Sequence, residues 1–341
     1  MSRKILITDR SGAKLGQIVN YLDINYSKAY NTYGFFKIRM PITAPELQSG
    51  LIETNTRYLQ FYKNDETSPR FDGIIINKKI TLQESGSFIT VSGFDLKYIL
   101  ECLDINQVWD ATAVNSIIQE IYNDKIAETQ LPFTLGTLQV TDAQDVDAQN
   151  SNFLEALQQL EVFGYGFDIE NRRLNFYTQL GELKVDAQGL PTVVLKYGDG
   201  GVLSNVDYEL DGTSFRNKSI ALGAGSGINQ VRSTTTDIQS RNDIGLFARY
   251  SNYPSFSKQS IIDTLSERDL EENSKSKRII TIQVNPERFV EGQFDVGDIV
   301  YIYAKEGSIE IGEWVRVMNI EYSENDLGIE SVKLDIQLYN L

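Results

Sequence analysis

The stretch FDGIIINKKITLQESGSFITVSGFDLKYIL, Phe71 to Leu100, reads as a strand, a turn, a second strand and then a helix opening on an aspartate. Such a corner either cradles a ligand or closes a small barrel, and its residues favour the second. Ile74, Ile76, Ile80 and Leu82 share one face by period-two alternation, broken only by Lys78, while Asn77, Lys79 and Thr81 fall on the other. This predicts a half-buried strand. Glu84-Ser85-Gly86-Ser87 supplies turn chemistry, and Phe88 to Ser92 returns as the partner of a hairpin. Asp95 is placed to cap a helix whose apolar positions Leu96, Ile99, Leu100 and Leu103 fall at helical spacing. The corner is thus explained without a ligand.

Working outward, short strand-like runs broken at Asp9-Arg10-Ser11-Gly12 and Asn31-Thr32-Tyr33-Gly34 predict a small barrel or sandwich over residues 1–100. Tyr21, Tyr26, Tyr30 and Tyr33 alternate with apolar residues as barrel tyrosines do. Then the period changes. Val114, Ile117, Ile118, Ile121 and Tyr122 follow the rule of an amphipathic helix, with Thr112 placed as its cap. A second helix begins at Asn152, with Glu155 at the capping-box position and Phe153, Leu154, Leu157 and Leu160 inward, and it stops at Gly164. Strand-like YGFDIENRRLNFYTQ follows, with Arg172 and Arg173 at its turn, so residues 101–185 are expected to form a compact α+β insertion. Residues 186–341 return to strands, with one helix over 257–273 carrying Ile261, Ile262 and Leu265 on its apolar side. The hairpin-like half from Trp314 to Leu338 repeats the rhythm of the opening stretch, as any two hairpins can, which points to two related barrels, one N-terminal and one mostly C-terminal. The expected fold class is mainly β with an α+β insertion: two tube-like barrels and a small helix-containing domain.

Composition excludes much chemistry. The chain has 341 residues, enough for two or three domains, with 32 Lys and Arg against 47 Asp and Glu, a net charge of −15 that repels phosphate backbones. It has no histidine, which removes Ser-His-Asp and Cys-His catalysis and His-ligated zinc. The single cysteine, Cys102, allows no intramolecular disulfide and reads as a small buried hydrophobe beside Leu100 and Leu103. The opening MSRKILITDRSG has no apolar signal core, and no apolar run is long enough to span a bilayer, so a soluble chain made in the cytoplasm is expected. Paired carboxylates, a lysine or tyrosine base, or a carboxylate-bound hard cation remain, and abundant Asp and Glu on an acidic surface select none of them.

Four features imitate functional motifs. Gly223, Gly225 and Gly227 in ALGAGSGINQVRS resemble a dinucleotide loop, but the residues that follow, Ile228 to Thr236, are polar and β-branched rather than helix-forming. Tyr197 to Gly201, YGDGG, falls short of calcium-loop spacing and reads as a turn. Asp295 and Asp298 flank Gly297 in FDVGDIV, where an acidic turn before a buried strand accounts for them as well as a metal does. ERDLEENSKSKR, Glu267 to Arg278, reads as a solvated helix end with its basic residues near the C-terminal dipole. No catalytic residue, cofactor-binding residue or metal ligand is assigned.

The order of these segments carries a resemblance. FDGIIINKK…ITVSGFDLKYIL, then NFLEALQQLEVFGYGFDI, then NKSIALGAGSG, then a helix and NPERFVEGQFDVGDIVYIY, resembles the baseplate hub or tail-associated (distal tail-tip) proteins of long-tailed phages and phage-derived injection particles across nearly the whole chain. The family's glycine-aspartate turn entering a C-terminal barrel strand falls on Gly297 and Asp298. Its mid-chain glycine turn falls on Gly223, Gly225 and Gly227, and its strand-to-helix corner on Gly93, Phe94, Asp95 and Leu96. These are structural positions in the family.

The resemblance implies a homotrimer in which two tube-like barrels per subunit imitate six. Such a ring joins a sixfold distal tail or tail-tube initiator ring to a threefold central spike or tail fibre, near the tape measure protein. It implies a structural role at the distal tail tip or baseplate of a virion assembled in the host cytoplasm, with no enzymatic activity. DNA would pass the lumen without stable binding, since acidic walls do not hold it. Many members carry a C-terminal extension for fibre attachment, peptidoglycan cleavage or receptor binding, whereas this sequence stops at Leu341 after a barrel-like strand; wall cleavage and host recognition are therefore expected on other chains. Two other readings stay open. A surface adhesin or carbohydrate-binding module would use the 18 Tyr and 2 Trp as stacking platforms, and a cell-wall glycan hydrolase would use two carboxylates such as Asp95, Asp295 or Asp298.

Overall fold

The computed structural model describes residues 3–63, 66–83, 86–254, 256–275, 277–290 and 292–339. The first third of the chain forms β1 (Arg3–Thr8), β2 (Lys14–Ile18), β3 (Asp23–Ala29), β4 (Phe35–Pro41), α1 (Pro45–Gln48), β5 (Tyr58–Lys63), β6 (Phe71–Thr81) and β7 (Phe88–Asp95). Next come α2 (Tyr98–Glu101), β8 (Asp104–Ala113), α3 (Val114–Glu128), β9 (Thr134–Leu138), β10 (Ala143–Asn152), α4 (Phe153–Glu161), β11 (Gly166–Glu170) and β12 (Arg173–Tyr177). The remainder holds β13 (Val194–Lys196), β14 (Leu203–Asp211), β15 (Lys218–Leu222), β16 (Arg232–Thr236), α5 (Ile238–Ile244), β17 (Ala248–Asn252) and α6 (Gln259–Asn273). It closes with β18 (Lys277–Val284), β19 (Ile299–Glu306), β20 (Ile309–Glu324) and β21 (Glu330–Leu338). The chain is mainly β. No helix among the described residues is long and apolar enough to cross a membrane.

One eleven-stranded sheet organises the molecule, in the order β13-β19-β20-β3-β4-β7-β6-β5-β1-β2 with β21 also on β20. β20 is the link: Ile309 to Arg316 pairs with β19, and Asn319 to Glu324 pairs antiparallel with β3. The strands expected in two separate barrels therefore share one hydrogen-bonded path, and that path is open rather than closed among the described residues. Its core unites both ends of the chain. Tyr26 stacks on Tyr322 at 5.1 Å and also meets Phe61 and Phe71, so strands some 300 residues apart in sequence bury one aromatic cluster.

A second core gathers α3, α4 and the strands β8 to β12, from Leu100 to Phe176. α3 buries Val114, Ile117, Ile118, Ile121 and Tyr122 as the spacing predicts. Its expected cap is not used. Ala113 occupies that position without a side-chain bond, and the Thr112 hydroxyl donates to the Asp110 carbonyl instead. α4 starts as expected, with the Asn152 side chain accepting from the Glu155 N–H at 2.9 Å. A third, smaller unit lies between the paired strands β14 and β18: β16-β15-β17 form a sheet against which α6 buries Ile261, Ile262 and Leu265.

Three local expectations need correction. A bulge at Ile76 shifts the β6–β7 register, pairing Ile75 with Gly93 but Asn77 with Ser92. Ile74 and Ile80 then lie on opposite faces. Ile75 takes the fully buried place, while Ile80 and Leu82 are 57% and 73% exposed, because one extra residue inverts side-chain parity along a strand. The hairpin turn itself includes Glu84 and Ser85, which lie outside the described residues. Cys102 is exposed rather than buried; it is the cap that ends the single turn of α2, its backbone N–H donating to the Ile99 and Leu100 carbonyls. At the end of α6, Ser276 lies outside the described residues, and Arg278 belongs to β18, where it pairs with Glu313 at 2.8 Å instead of serving the helix dipole.

Candidate functional site

The corner at Gly93–Leu96 is built by close backbone approach. A Cβ on Gly93 would lie 1.8 Å from the Ile74 carbonyl oxygen, and one on Gly34 equally close to that of Ser27. Only glycine lets the three strands converge there. Asp95 then ties the corner together, Oδ2 accepting from the Gly34 N–H at 2.8 Å and Oδ1 from the Lys97 N–H at 2.9 Å. It caps a turn, not the long helix expected: α2 is one turn, it starts after Lys97, and it has no side-chain cap. Leu96 beside it packs with Tyr58 and Ile74.

Lys97 turns this corner into a joint. Its buried ammonium donates to the Ala29 carbonyl at 2.7 Å and faces Asp168 Oδ1 at 3.1 Å and Asp95 Oδ2 at 3.7 Å. Asp168 belongs to β11, so the charge group fastens the second core onto the large sheet. Burial raises the Asp95 pKa to about 6, against the pull of Lys97 and the Gly34 N–H and with the help of the Asp168 charge. Burial acts the same way on Asp168, but there the ammoniums of Lys97 and Lys28 prevail and hold its carboxyl below the ordinary range. Lys97 itself is burdened by burial, yet Asp168 and Asp95 outweigh this and raise its pKa. One cation thus serves two carboxylates unequally.

Three and four residues after Asp168 along the chain, the two-residue turn between β11 and β12 carries Asn171 and Arg172 at φ 47° and 59°, as a tight hairpin of this kind requires. Arg172 grips Asp72 through Nε and Nη2 at 2.7 and 3.1 Å, and its Nη1 donates to the carbonyls of Asp9 and Arg10 at 3.3 and 2.6 Å. Between these two fasteners lies a cleft of about 620 Å³ whose lining includes Lys28, Arg70, Asp95, Lys97, Asp168 and Asp295. Its charges are largely matched within it: Lys28 pairs with Asp295, and Arg70 with Glu66. No group of three or more thiol or carboxylate side chains placed to hold a metal ion occurs among the described residues.

The other singled-out positions are structural turns. Gly297 adopts φ 92°, and Gly181 is pressed against it, its absent Cβ 2.0 Å from the Gly297 carbonyl carbon. Asp298 accepts from the Glu182 and Asp295 N–H groups at 2.8 and 2.9 Å and pairs with Lys184 at 3.1 Å. Asp95 and Asp295 therefore meet at one cleft, while Asp298 faces the other way, toward the segment before β13. Gly223, Gly225 and Gly227 sit in the third unit, where a Cβ on Gly223 would meet the Phe256 carbonyl at 2.6 Å and Gly227 opens only a single 3₁₀ turn, to Asn229. The helix that a dinucleotide loop needs is absent there. Sequence reading missed Lys97 and Asp168 altogether; it noticed Arg172 at its turn but had no signal for Asp72 as its target.

The raised Asp95 pKa gives a pH signature. A carboxyl with a folded value of about 6 against 3.8 when unfolded contributes stability that is complete below about pH 3.8 and is lost as pH rises through 6. Between pH 4 and 7 the stability of the native chain is expected to fall relative to Asp95→Asn by up to ~3 kcal/mol, read by urea titration at each pH. A flat difference across that window would show that Asp95 does not retain its proton in the fold.

No protein-family model matches the chain, and no curated protein matches it in sequence. Solved structures do match in fold. The tail protein from Neisseria meningitidis aligns over 100% of this chain and 97% of its own, with a TM-score of 0.70 and 12% identity. The 43 kDa tail protein of prophage MuSo2 from Shewanella oneidensis covers 98% and 97%, with a TM-score of 0.65 and 15% identity. The Escherichia coli c3393 protein, a type VI secretion system component with structural similarity to the bacteriophage T4 tail proteins gp27 and gp5, covers 94% of this chain and 74% of its own, with a TM-score of 0.53 and 12% identity. The chain has the fold of phage tail proteins.

Proposed function

We propose that the chain is a structural hub protein of a phage tail tip or baseplate. The observation that carries this reading is coverage: the fold likeness to the two tail proteins runs end to end in both partners, so the whole architecture is shared and not one module of it. In the proposed assembly three copies form a ring, each contributing two tube-like strand modules, one from either end of the β20-linked sheet. The ring joins a sixfold tail ring to a threefold spike or fibre and lines part of the delivery channel. The three domains are residues 1–100, 101–185 and 186–341, and the joint at Lys97 and Arg172 fixes the second on the sheet. Its neighbours would be the distal tail or tube-initiator ring, the tape measure protein and the spike or fibre.

We read the chain as non-enzymatic, because the carboxylates a glycan hydrolase would use are engaged: Asp95 by two backbone N–H groups, Asp295 by Lys28 and Asp298 by Lys184. Immunogold electron microscopy with an antibody to this chain tests the placement. Label at one end of the tail is expected; particles without label, or label on cell surfaces, would replace the hub with the adhesin.

A further inference from the structure

The third unit is joined to the rest of the chain by few contacts. The backbone enters it after Asp211 and leaves it at Lys277, which pair with each other at the tip of the β14–β18 ribbon, while the foot of that ribbon, at Leu203 and Val284, is buried in the main core. Within the unit a small core of Ala221, Ile261, Ile262 and Leu265 is closed by Val231, Tyr253 and Phe256. Among the described residues, the one apolar side chain from outside that packs on this core is Val162, at the end of α4.

The remaining contact is polar and lies at the start of α6. Asp147 of β10, only 2% exposed, accepts through Oδ2 from the Ser257 N–H at 3.1 Å and from the Ser257 hydroxyl. Lys258 pairs with Asp110, and the Ser260 hydroxyl donates to Asp145 Oδ2 at 2.8 Å. α6 has no side-chain cap of its own, and these three carboxylates of the β8–β10 pair stand at its positive end instead. The receiving side is firmly held: the Gln159 side chain of α4 accepts from the Asp147 N–H at 3.1 Å and donates to the Asp147 carbonyl at 2.5 Å. A boundary this small and polar lets two units move relative to one another.

We propose that Ser257 and Asp147 form a latch that opens, letting the third unit swing as a folded head about the tip of the β14–β18 ribbon. Around that tip Leu210 and Ile279 are 65% and 40% exposed, so little packing opposes a bend. Ser257 is the residue to release, since Asp147 forms no ion pair among the described residues and its carboxylate keeps only N–H and O–H donors, two of them from Ser257. Opening returns that carboxylate to water, and its hydration offsets much of what the lost bonds contributed. The latch is independent of the hub reading.

Single-molecule energy transfer on the full chain tests the swing. Cys102, exposed and the sole cysteine, takes one dye, and Gln239→Cys on exposed α5 takes the other. The doubly labelled chain is expected to show a dominant docked distance and a minor second one, and Ser257→Ala should shift the ratio toward the second by about tenfold or more. Lys258→Glu should act in the same direction, and adding Asp110→Lys to it should return the ratio toward docked. Hydrogen exchange on the native chain needs no substitution: the Ser257 N–H is expected to exchange faster than that of Ile220, at the centre of the unit's sheet, because the head stays folded as it opens. A Ser257 N–H protected as long as that of Ile220 would overturn the latch. Fast exchange at Ser257 with one unchanged dye distance in every variant would reduce the opening to fraying of a single segment and overturn the swing.

Discussion

Replacing Lys97 by methionine is expected to destabilise the folded chain by about 3–5 kcal/mol, the cost of stranding buried charge when its partner is removed. Methionine fills nearly the space of the lysine stem, so little of the loss would come from a cavity. The Ala29 carbonyl loses its donor, and Asp168 and Asp95 are left facing each other inside the joint. Urea denaturation would show a lower midpoint at unchanged slope. Two features separate this cause from loss of packing. Adding Asp168→Asn to Lys97→Met should return part of the stability, since one of the two stranded charges is gone. The loss should also shrink as pH falls toward 4, because without Lys97 both carboxyls take up protons at higher pH than ordinary aspartates. A midpoint equal to that of the native chain at pH 7 would mean that the joint is not held by this ion group.

What could be read from the residues divides along physical lines. α3, α4 and α6 were legible because helical burial repeats every three or four positions within a single segment, and the Asn152 cap because its acceptor lies three residues from its donor. Hairpins such as β20–β21 were legible for the same reason of local pattern. The β20–β3 pairing was not, since nothing local tells Tyr322 that Tyr26 lies opposite. The bulge at Ile76 was invisible because IIINKKI alternates equally well with or without an extra residue. Lys97 offered a single charge after FDL, and its partner Asp168 arrives 71 residues later in another element; only the folded chain brings them to 3.1 Å.

Gly93→Ala is expected to cost more than ~3 kcal/mol, at the upper end of overpacking and beyond most surface changes. Gly93 sits on β7 between Ile75 of β6 and Phe36 of β4, so the added methyl has no outward path. It would meet the Ile74 carbonyl at 1.8 Å and the Phe36 ring at 2.8 Å. Phe36 cannot retreat, because its ring already packs against Phe61 and Phe71 in the main core. Ile74 cannot retreat either without breaking the β6–β7 ladder two residues from the bulge, and that would drag Asp95 and Lys97 out of the joint. Gly227→Ala makes the informative comparison. Nothing lies within 4 Å of its added Cβ, and only its φ of 58° opposes the change, at a cost of about 1 kcal/mol. Soluble yield and melting midpoint of the two variants decide between steric and conformational roles for the glycines at these turns. A Gly93→Ala chain as stable as Gly227→Ala would contradict the β6–β7 register, and with it the geometry that delivers Asp95 and Lys97 to Asp168.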